Sequence, residues 1–163
     1  MSTAKVTLVT SGGSSQDFTS EQTNITTDFA RVRVTKGMWI FYQQANYNDA
    51  SGGGSLWIKL DESSHLMDLP FTPRSFRPVK TFQVGATLYK HVNFGGKELD
   101  LPNSNPRIDI GGVSSALISQ GQWRLYEQYD YAGPSTRRGP GVYVNAGALG
   151  VANDALKSME REF

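Results

Sequence analysis

Apolar and polar residues alternate through Lys5-Val6-Thr7-Leu8-Val9 and again through Ala30-Arg31-Val32-Arg33-Val34. That is the period-two pattern of strands with one face buried. Residues 37–42 enter from a glycine turn as a third run, Leu56-Trp57-Ile58-Lys59-Leu60 is a fourth, and residues 75–79 end the first half. Between them, Ser11-Gly12-Gly13-Ser14-Ser15 reads as a turn, and the stretch from 11 to 27 is polar and poor in landmarks. Residues 48–55 form an insertion with three consecutive glycines. Helical periodicity is sparse: only 152–157 and 62–69 offer a turn or two. Many short strands with frequent turn signals predict an all-β sandwich fold.

The pattern also repeats. Tyr89-Lys90-His91-Val92-Asn93-Phe94-Gly95-Gly96 returns 37 residues later as Tyr126-Glu127-Gln128-Tyr129-Asp130-Tyr131-Ala132-Gly133. Two aromatics five residues apart fall on opposite faces of a straight strand, so a shared apolar cluster requires the chain between them to fold over. A following glycine at positive φ suits such a fold, and each octapeptide is read as a hairpin closed by its own aromatic pair. Gly37, Trp39, Tyr42, Gln44 and Tyr47 match Gly121, Trp123, Tyr126, Gln128 and Tyr131 at a constant offset of 84. Two tandem units of about 80 residues follow, 1–80 and 85–163, and the second divides again into halves. A three-fold trefoil would need three or six such halves, and an immunoglobulin-type sandwich predicts no internal halving. Paired Greek keys predict it.

Composition narrows the chemistry. The absence of Cys removes disulfides, thiolate metal sites and cysteine nucleophiles together. With 16 basic and 15 acidic residues and no basic run beyond Arg137-Arg138, the footprint of a nucleic-acid binder is missing. No apolar run approaches a membrane span. Residues 1–5 lead into a strand pattern rather than an apolar signal region, which places the chain, as an expectation, in the cytoplasm.

Both octapeptides resemble the folded-hairpin signature of the βγ-crystallin superfamily. Val113-Ser114-Ser115 through Gly121-Gln122-Trp123-Arg124-Leu125-Tyr126 resembles the family's passage from one Greek-key motif to the next. Asn153-Asp154-Ala155-Leu156-Lys157-Ser158 is similar to its calcium hexapeptide: two Asn/Asp, two free positions, Ser/Thr, then Ser. The likeness is strong over 86–163, weaker over 30–79 and weakest over 1–29. A two-domain chain with one degenerate half is also similar to a sponge member of the family. The resemblance implies two domains, each a sandwich of two Greek-key motifs that exchange a strand, working as a non-enzymatic structural or stress-type protein. It further implies a monomer in which the two domains pair.

In calcium-binding family members, a site takes a backbone carbonyl from one folded hairpin and the Ser/Thr hydroxyl of that motif. The partner motif adds an Asn/Asp side chain and a carbonyl from its hexapeptide. In the second domain, Ile110-Gly111-Gly112-Val113-Ser114-Ser115 lacks the Asn/Asp pair but keeps the Ser114 hydroxyl, whereas the last hexapeptide keeps Asn153 and Asp154 but has Lys157 in place of the hydroxyl. The two defects are complementary. One Ca²⁺ site is therefore implied, from Lys90 (carbonyl), Ser114 (hydroxyl), Asn153 or Asp154 (side chain) and Ala155 (carbonyl). A second, around Glu127 and Gly112, would meet the Lys157 ammonium, which has no lone pair to offer.

The first domain has Thr26-Thr27-Asp28-Phe29-Ala30-Arg31 and Pro70-Phe71-Thr72-Pro73-Arg74-Ser75 at those positions, Val9 in place of the first hairpin's aromatic and Asp49 in place of the second hairpin's glycine. No calcium is expected there.

Other candidates read as structure. On spacing alone Ser114 is a turn serine and Asn153-Asp154 an Asx pair opening a short helix. Trp39, Trp57 and Trp123 lie among alternating strand residues and are expected in the core. His65 in Ser63-Ser64-His65-Leu66-Met67-Asp68 has no strained nucleophile turn around it, so a triad is not indicated. His91 reads as a hairpin residue, and Arg137-Arg138 as solvated surface in a Gly/Pro-rich loop. Asn24-Ile25-Thr26 is a glycosylation sequon with meaning only in a secreted protein. An alternative function on the same fold is a recognition module, a glycan- or membrane-associated effector. Exposed aromatics in 48–55 or 135–141 would favour it, and the sequence has none there.

Overall fold

A computed structural model of the protein describes residues 4–162. The chain divides into two compact units, Met1–Lys80 and Thr81–Phe163. All sheets are antiparallel and all strands short.

In the first unit the strands are β1 (Lys5–Thr10), β2 (Ser15–Phe18), β3 (Phe29–Lys36), β4 (Trp39–Tyr42), β5 (Trp57–Leu60), β6 (Met67–Asp68) and β7 (Ser75–Pro78). One sheet runs β2-β1-β3-β6 and the other β5-β4-β7. Strand β6 comes from the second half of the unit yet pairs with β3, Arg31 opposite Asp68 and Val32 opposite Met67. The exchange is returned by a single bridge, Gln22 to Phe76, which lays the first motif against the sheet of the second. That reciprocal loan is what makes each unit a pair of interlocked Greek keys.

The second unit repeats the plan with β8 (Ala86–Tyr89), β9 (Glu98–Leu101), β10 (Ser115–Ile118), β11 (Gln122–Gln128), β12 (Ala132–Arg138), β13 (Gly141–Tyr143) and β14 (Ser158–Glu162). Its sheets are β13-β10-β8-β9 and β12-β11-β14. Here β13 is the exchanged strand, and the Asn105 to Met159 bridge is its counterpart.

The alternation in β1 and β3 works as read. Val6, Leu8, Val32 and Val34 go inward, while Thr7 and Arg33 face out. Phe76 sits among the rings of Phe18, Trp39 and Phe41, with centroids 4.9, 5.9 and 5.5 Å away. In the second core Met159 takes the place of Phe76, with Trp123, Leu88 and Leu125 in the same cluster. The offset of 84 extends to hydrogen bonds: Trp39 Nε1 donates to the Lys36 carbonyl at 3.1 Å and Trp123 Nε1 to the Gln120 carbonyl at 2.9 Å. Each indole is fully buried, and burying 150–250 Å² contributes about 4–6 kcal/mol of apolar transfer. Trp57 differs, standing half-buried on an edge strand.

Several local expectations need correction. The polar stretch 11–27 contains β2, whose Asp17 faces Thr7 across the ladder. Residues 135–141 are not a loop: most belong to β12, where Arg137 pairs with Glu162 and the Arg138 Nε donates to the Ala148 carbonyl. No helix forms at 62–69 or 152–157. The helical turn lies instead at Ala146–Leu149, started by Asn145, whose side chain accepts the Ala148 N–H at 2.8 Å, and stopped by Gly150 at φ 83°. A weak apolar period had hidden behind that cap.

Candidate functional site

Three folded hairpins carry the candidate site and its relatives. Their aromatic pairs do close on themselves: Tyr42–Tyr47, Tyr89–Phe94 and Tyr126–Tyr131 lie 5.4, 5.4 and 5.8 Å apart. The left-handed turn is not made by glycine alone, as the octapeptide had suggested. Asn93 and Phe94 have φ 54° and 61°, Asp130 and Tyr131 59° and 59°, Asn46 and Tyr47 53° and 58°, with Gly96 and Gly133 also positive. Left-handed backbone at an aromatic is strained and persists only where its surroundings hold it.

A buried serine supplies that hold. Ser115 Oγ accepts the Phe94 N–H at 3.0 Å and donates to the His91 carbonyl at 2.6 Å. Ser158 does the same for Tyr131 and Gln128, and Ser75 for Tyr47 and Gln44. All three serines are fully buried. They occupy the last position of their hexapeptides, a position to which sequence reading had given no task. The first motif has no such hairpin: β1 and β2 join through a tight turn in which the Thr10 N–H donates to the Ser14 carbonyl.

The residue before each serine is fixed in turn. The N–H groups of Ser114, Lys157 and Arg74 donate to the carbonyls of Tyr89, Tyr126 and Tyr42, at 3.0, 2.9 and 2.9 Å. These three side chains therefore start from equivalent points, and those of Arg74 and Ser114 reach the partner motif.

Around Ser114, two of the sequence-predicted ligands are brought together. The Ser114 hydroxyl donates to Asp154 Oδ1 at 3.3 Å, joining the two motifs. Two oxygens each about 2.4 Å from a common Ca²⁺ and at right angles to one another stand about 3.4 Å apart, so this pair has the spacing of two ligands on one ion. Gly112, at φ 105°, makes room: a Cβ there would lie 2.5 Å from Asp154 Oδ1. Asp154 itself takes φ 59° in the turn where the Ala155 N–H donates to the Ala152 carbonyl.

Asn153 lies beside Asp154. Its Nδ2 donates to the other oxygen of Asp154 at 3.3 Å, orienting the carboxylate. Lys90 is held across its hairpin by its N–H on the Lys97 carbonyl, and its side-chain stem runs beside Gly111. The ligand types are all oxygen, which suits a hard cation.

At the other position of this unit, Lys157 stands where Ser114 stands, and Glu127 Oε2 accepts the Ala152 N–H at 3.0 Å. Among the described residues, no group of three or more His, Cys, Asp or Glu side chains is arranged to hold a metal.

The first unit holds what sequence reading missed. From the position equivalent to Ser114, the Arg74 guanidinium reaches the partner hexapeptide. It donates to Asp28 Oδ1 at 2.6 Å, to the Ile25 carbonyl at 3.2 Å and, more loosely, to the Thr27 carbonyl at 3.5 Å. A tethered cation thus occupies this cleft. The signal was present in the sequence as an arginine at the fifth hexapeptide position, opposite an Asp in the partner hexapeptide.

No helix of the described residues is long and apolar enough to cross a membrane. The histidines remain as read, His65 exposed and His91 half-buried.

Several known proteins are similar to this chain. A Beta/gamma-crystallin of Ciona intestinalis is 34% identical over 79 residues, which are 46% of this chain and 94% of the relative. Gamma-crystallin-4 of Xenopus laevis is 24% identical over 166 residues, 91% of each chain. The solved structure of the beta gamma crystallin from Ciona intestinalis, 33% identical, covers 47% of this chain and 98% of its own with a TM-score of 0.45. The Beta/Gamma crystallin family model matches residues 85–161. With hairpins, exchanged strands and relatives in agreement, this chain belongs to the beta/gamma crystallin family.

Proposed function

We propose that this protein is a non-enzymatic, calcium-binding structural βγ-crystallin whose second domain, residues 85–163, is stabilised by one Ca²⁺. The supporting observation is the meeting of Ser114 and Asp154 from two different motifs at ligand spacing, over a glycine that leaves room for the carboxylate. The Lys90 and Ala155 carbonyls would complete the protein's share, with Asn153 orienting Asp154 and water filling the rest. An ion there would tie the motifs together at one more point, which is useful to a domain of this size whose core is limited by its surface-to-volume ratio.

One formal carboxylate gives little ligand charge, so the dissociation constant belongs at the weak end of the calcium range, roughly 10⁻⁵ to 10⁻³ M. With free calcium about 100-fold above that constant, binding adds about 2.7 kcal/mol to the stability of the folded state. Calorimetric titration of the full chain should show one binding event, absent from Ser114→Arg and weakened in Asp154→Ala. Two events, or one that survives Ser114→Arg, would overturn the assignment.

A further inference from the structure

We propose that a cleft on the outer face of β3 in the first unit is a binding site for a tetrahedral oxyanion, independent of calcium. The cleft has a volume of about 560 Å³ and is lined by Arg33, Thr35, Glu62, Ser63 and Ser64. Arg33 and Thr35 are successive outward-facing residues of β3. The chain after β5 lies beside them because the Ser63 N–H donates to the Val34 carbonyl at 2.9 Å.

Four of the five lining residues carry side-chain donors, and the fifth, Glu62, is a carboxylate. Among the described residues, the side chains of Arg33, Thr35 and Ser64 have no hydrogen-bond partner. The Ser63 hydroxyl already accepts the His65 N–H at 3.1 Å and keeps its own proton to give. Glu62 is the carboxylate lining the cleft, and it is engaged at its edge. Its Oε1 accepts the Gly37 N–H at 2.8 Å and lies 3.8 Å from the Lys36 ammonium. Asp17, across β1 from Arg33, is turned to the Thr7 hydroxyl at 2.6 Å and to Lys5 at 3.5 Å. A guanidinium fork that makes no hydrogen bond, only a through-space attraction to Asp17, and is flanked by hydroxyls is complementary to an acceptor-only ligand, and the fork matches two oxygens of a sulfate or phosphate at once. The volume would also admit a sugar ring carrying such a group.

Arg33 is exposed, so half-saturation is expected at roughly 1–10 mM rather than in the micromolar range. The test is a nitrogen–proton correlation titration of the full chain in calcium-free buffer with sodium sulfate, against sodium chloride at matched ionic strength. Sulfate should give saturable shifts confined to the amides of β3 and of 62–65, reduced at least five-fold in Arg33→Gln and about two-fold in Ser64→Ala. Glucose 6-sulfate, glucose 6-phosphate and glucose then separate the sources of the anion: a preference for either ester over free sulfate names its class, and equal binding of all three oxyanions keeps the site generic. Binding of glucose as tightly as of its esters would overturn the proposal. So would linear, unsaturating shifts, equal shifts with chloride, or sulfate shifts unchanged in Arg33→Gln. Unchanged thermal unfolding of Arg33→Gln shows that loss of binding is not loss of fold.

Discussion

The clefts at Arg74 and at Ser114 begin from the same place in the fold and solve the same problem differently. In both, a hexapeptide residue pinned by its N–H to a hairpin tyrosine carbonyl faces an aspartate of the partner motif. In the first unit the positive charge is covalently attached: Arg74 sits on Asp28 and two nearby carbonyls. In the second a short hydroxyl faces Asp154, and the Lys90 side chain runs beside the neighbouring Gly111. A tethered cation loses no translational freedom on binding and works at every calcium concentration, but it reports nothing. An ion drawn from solution couples stability to its concentration through mass action. On the proposed calcium reading, the residue at the fifth hexapeptide position sets whether the link between motifs is conditional or permanent.

What the units share should break both of them equally, and by the most. Ser75→Ala and Ser115→Ala each leave a buried N–H and a carbonyl inside a left-handed turn without their partner. At about 1–3 kcal/mol for a buried polar group left unsatisfied, each variant should lose about 2–4 kcal/mol by denaturant unfolding. A loss below about 1 kcal/mol in either would mean that the aromatic pairs hold the hairpins without the serines.

The clefts, where the units differ, should respond in opposite senses. Arg74→Ser removes an ion pair that is 36% exposed on the arginine side and 76% on the aspartate, together with bonds to carbonyls. A surface pair is worth at most about 1 kcal/mol and the carbonyl bond about as much again, so the first unit should lose about 1–2 kcal/mol, with or without calcium. Ser114→Arg should gain about 1 kcal/mol in calcium-free buffer by placing its guanidinium on Asp154, and should lose the calcium increment, about 1–4 kcal/mol at 5 mM over the proposed range of constants. Melting curves of both variants with EDTA and with 5 mM CaCl₂ check this. If calcium still stabilises Ser114→Arg as it does the native chain, the two clefts are not equivalent.

How much of this was legible in the sequence varies with the physical scale of the signal. The cores were, because alternation and the Trp39 and Trp123 offset are direct consequences of side-chain geometry. So was the meeting of the last two motifs, since Ser114 and Asp154 are complementary in type. The serine locks were not, because a serine beside a strand looks the same whether it binds a carbonyl inside a hairpin or faces water. Arg74 was seen only as a missing hydroxyl, because a reading that looks for ligands overlooks a residue that replaces the ion. The helical turn at Ala146–Leu149 escaped for another reason: four residues are too few for a period, and only the Asn145 cap and Gly150 mark it.

The smallest expected difference between the units is their sensitivity to acid. In the second, the Arg137 guanidinium hydrogen-bonds Glu162 at 2.9 and 3.1 Å and, with its charge, holds that carboxyl below the ordinary glutamate value of 4.5. In the first, the Thr7 hydroxyl is the main cause holding Asp17 below the ordinary aspartate value of 3.8, with Lys5 helping. A carboxyl whose folded pKa is depressed contributes stability above its unfolded pKa and loses it as pH falls through the folded value. The loss should therefore begin near pH 4.5 in the second unit and only near 3.8 in the first. Asp17 is exposed and Glu162 about one-third exposed, so both losses are small and shrink with salt. Amide exchange followed in each unit between pH 6 and pH 3 would resolve them. Arg137→Gln should flatten the acid slope of the second unit and leave the first unchanged. An unchanged slope in the second unit would show that Arg137 is not what depresses Glu162, leaving Arg124 at 3.7 Å as the cause.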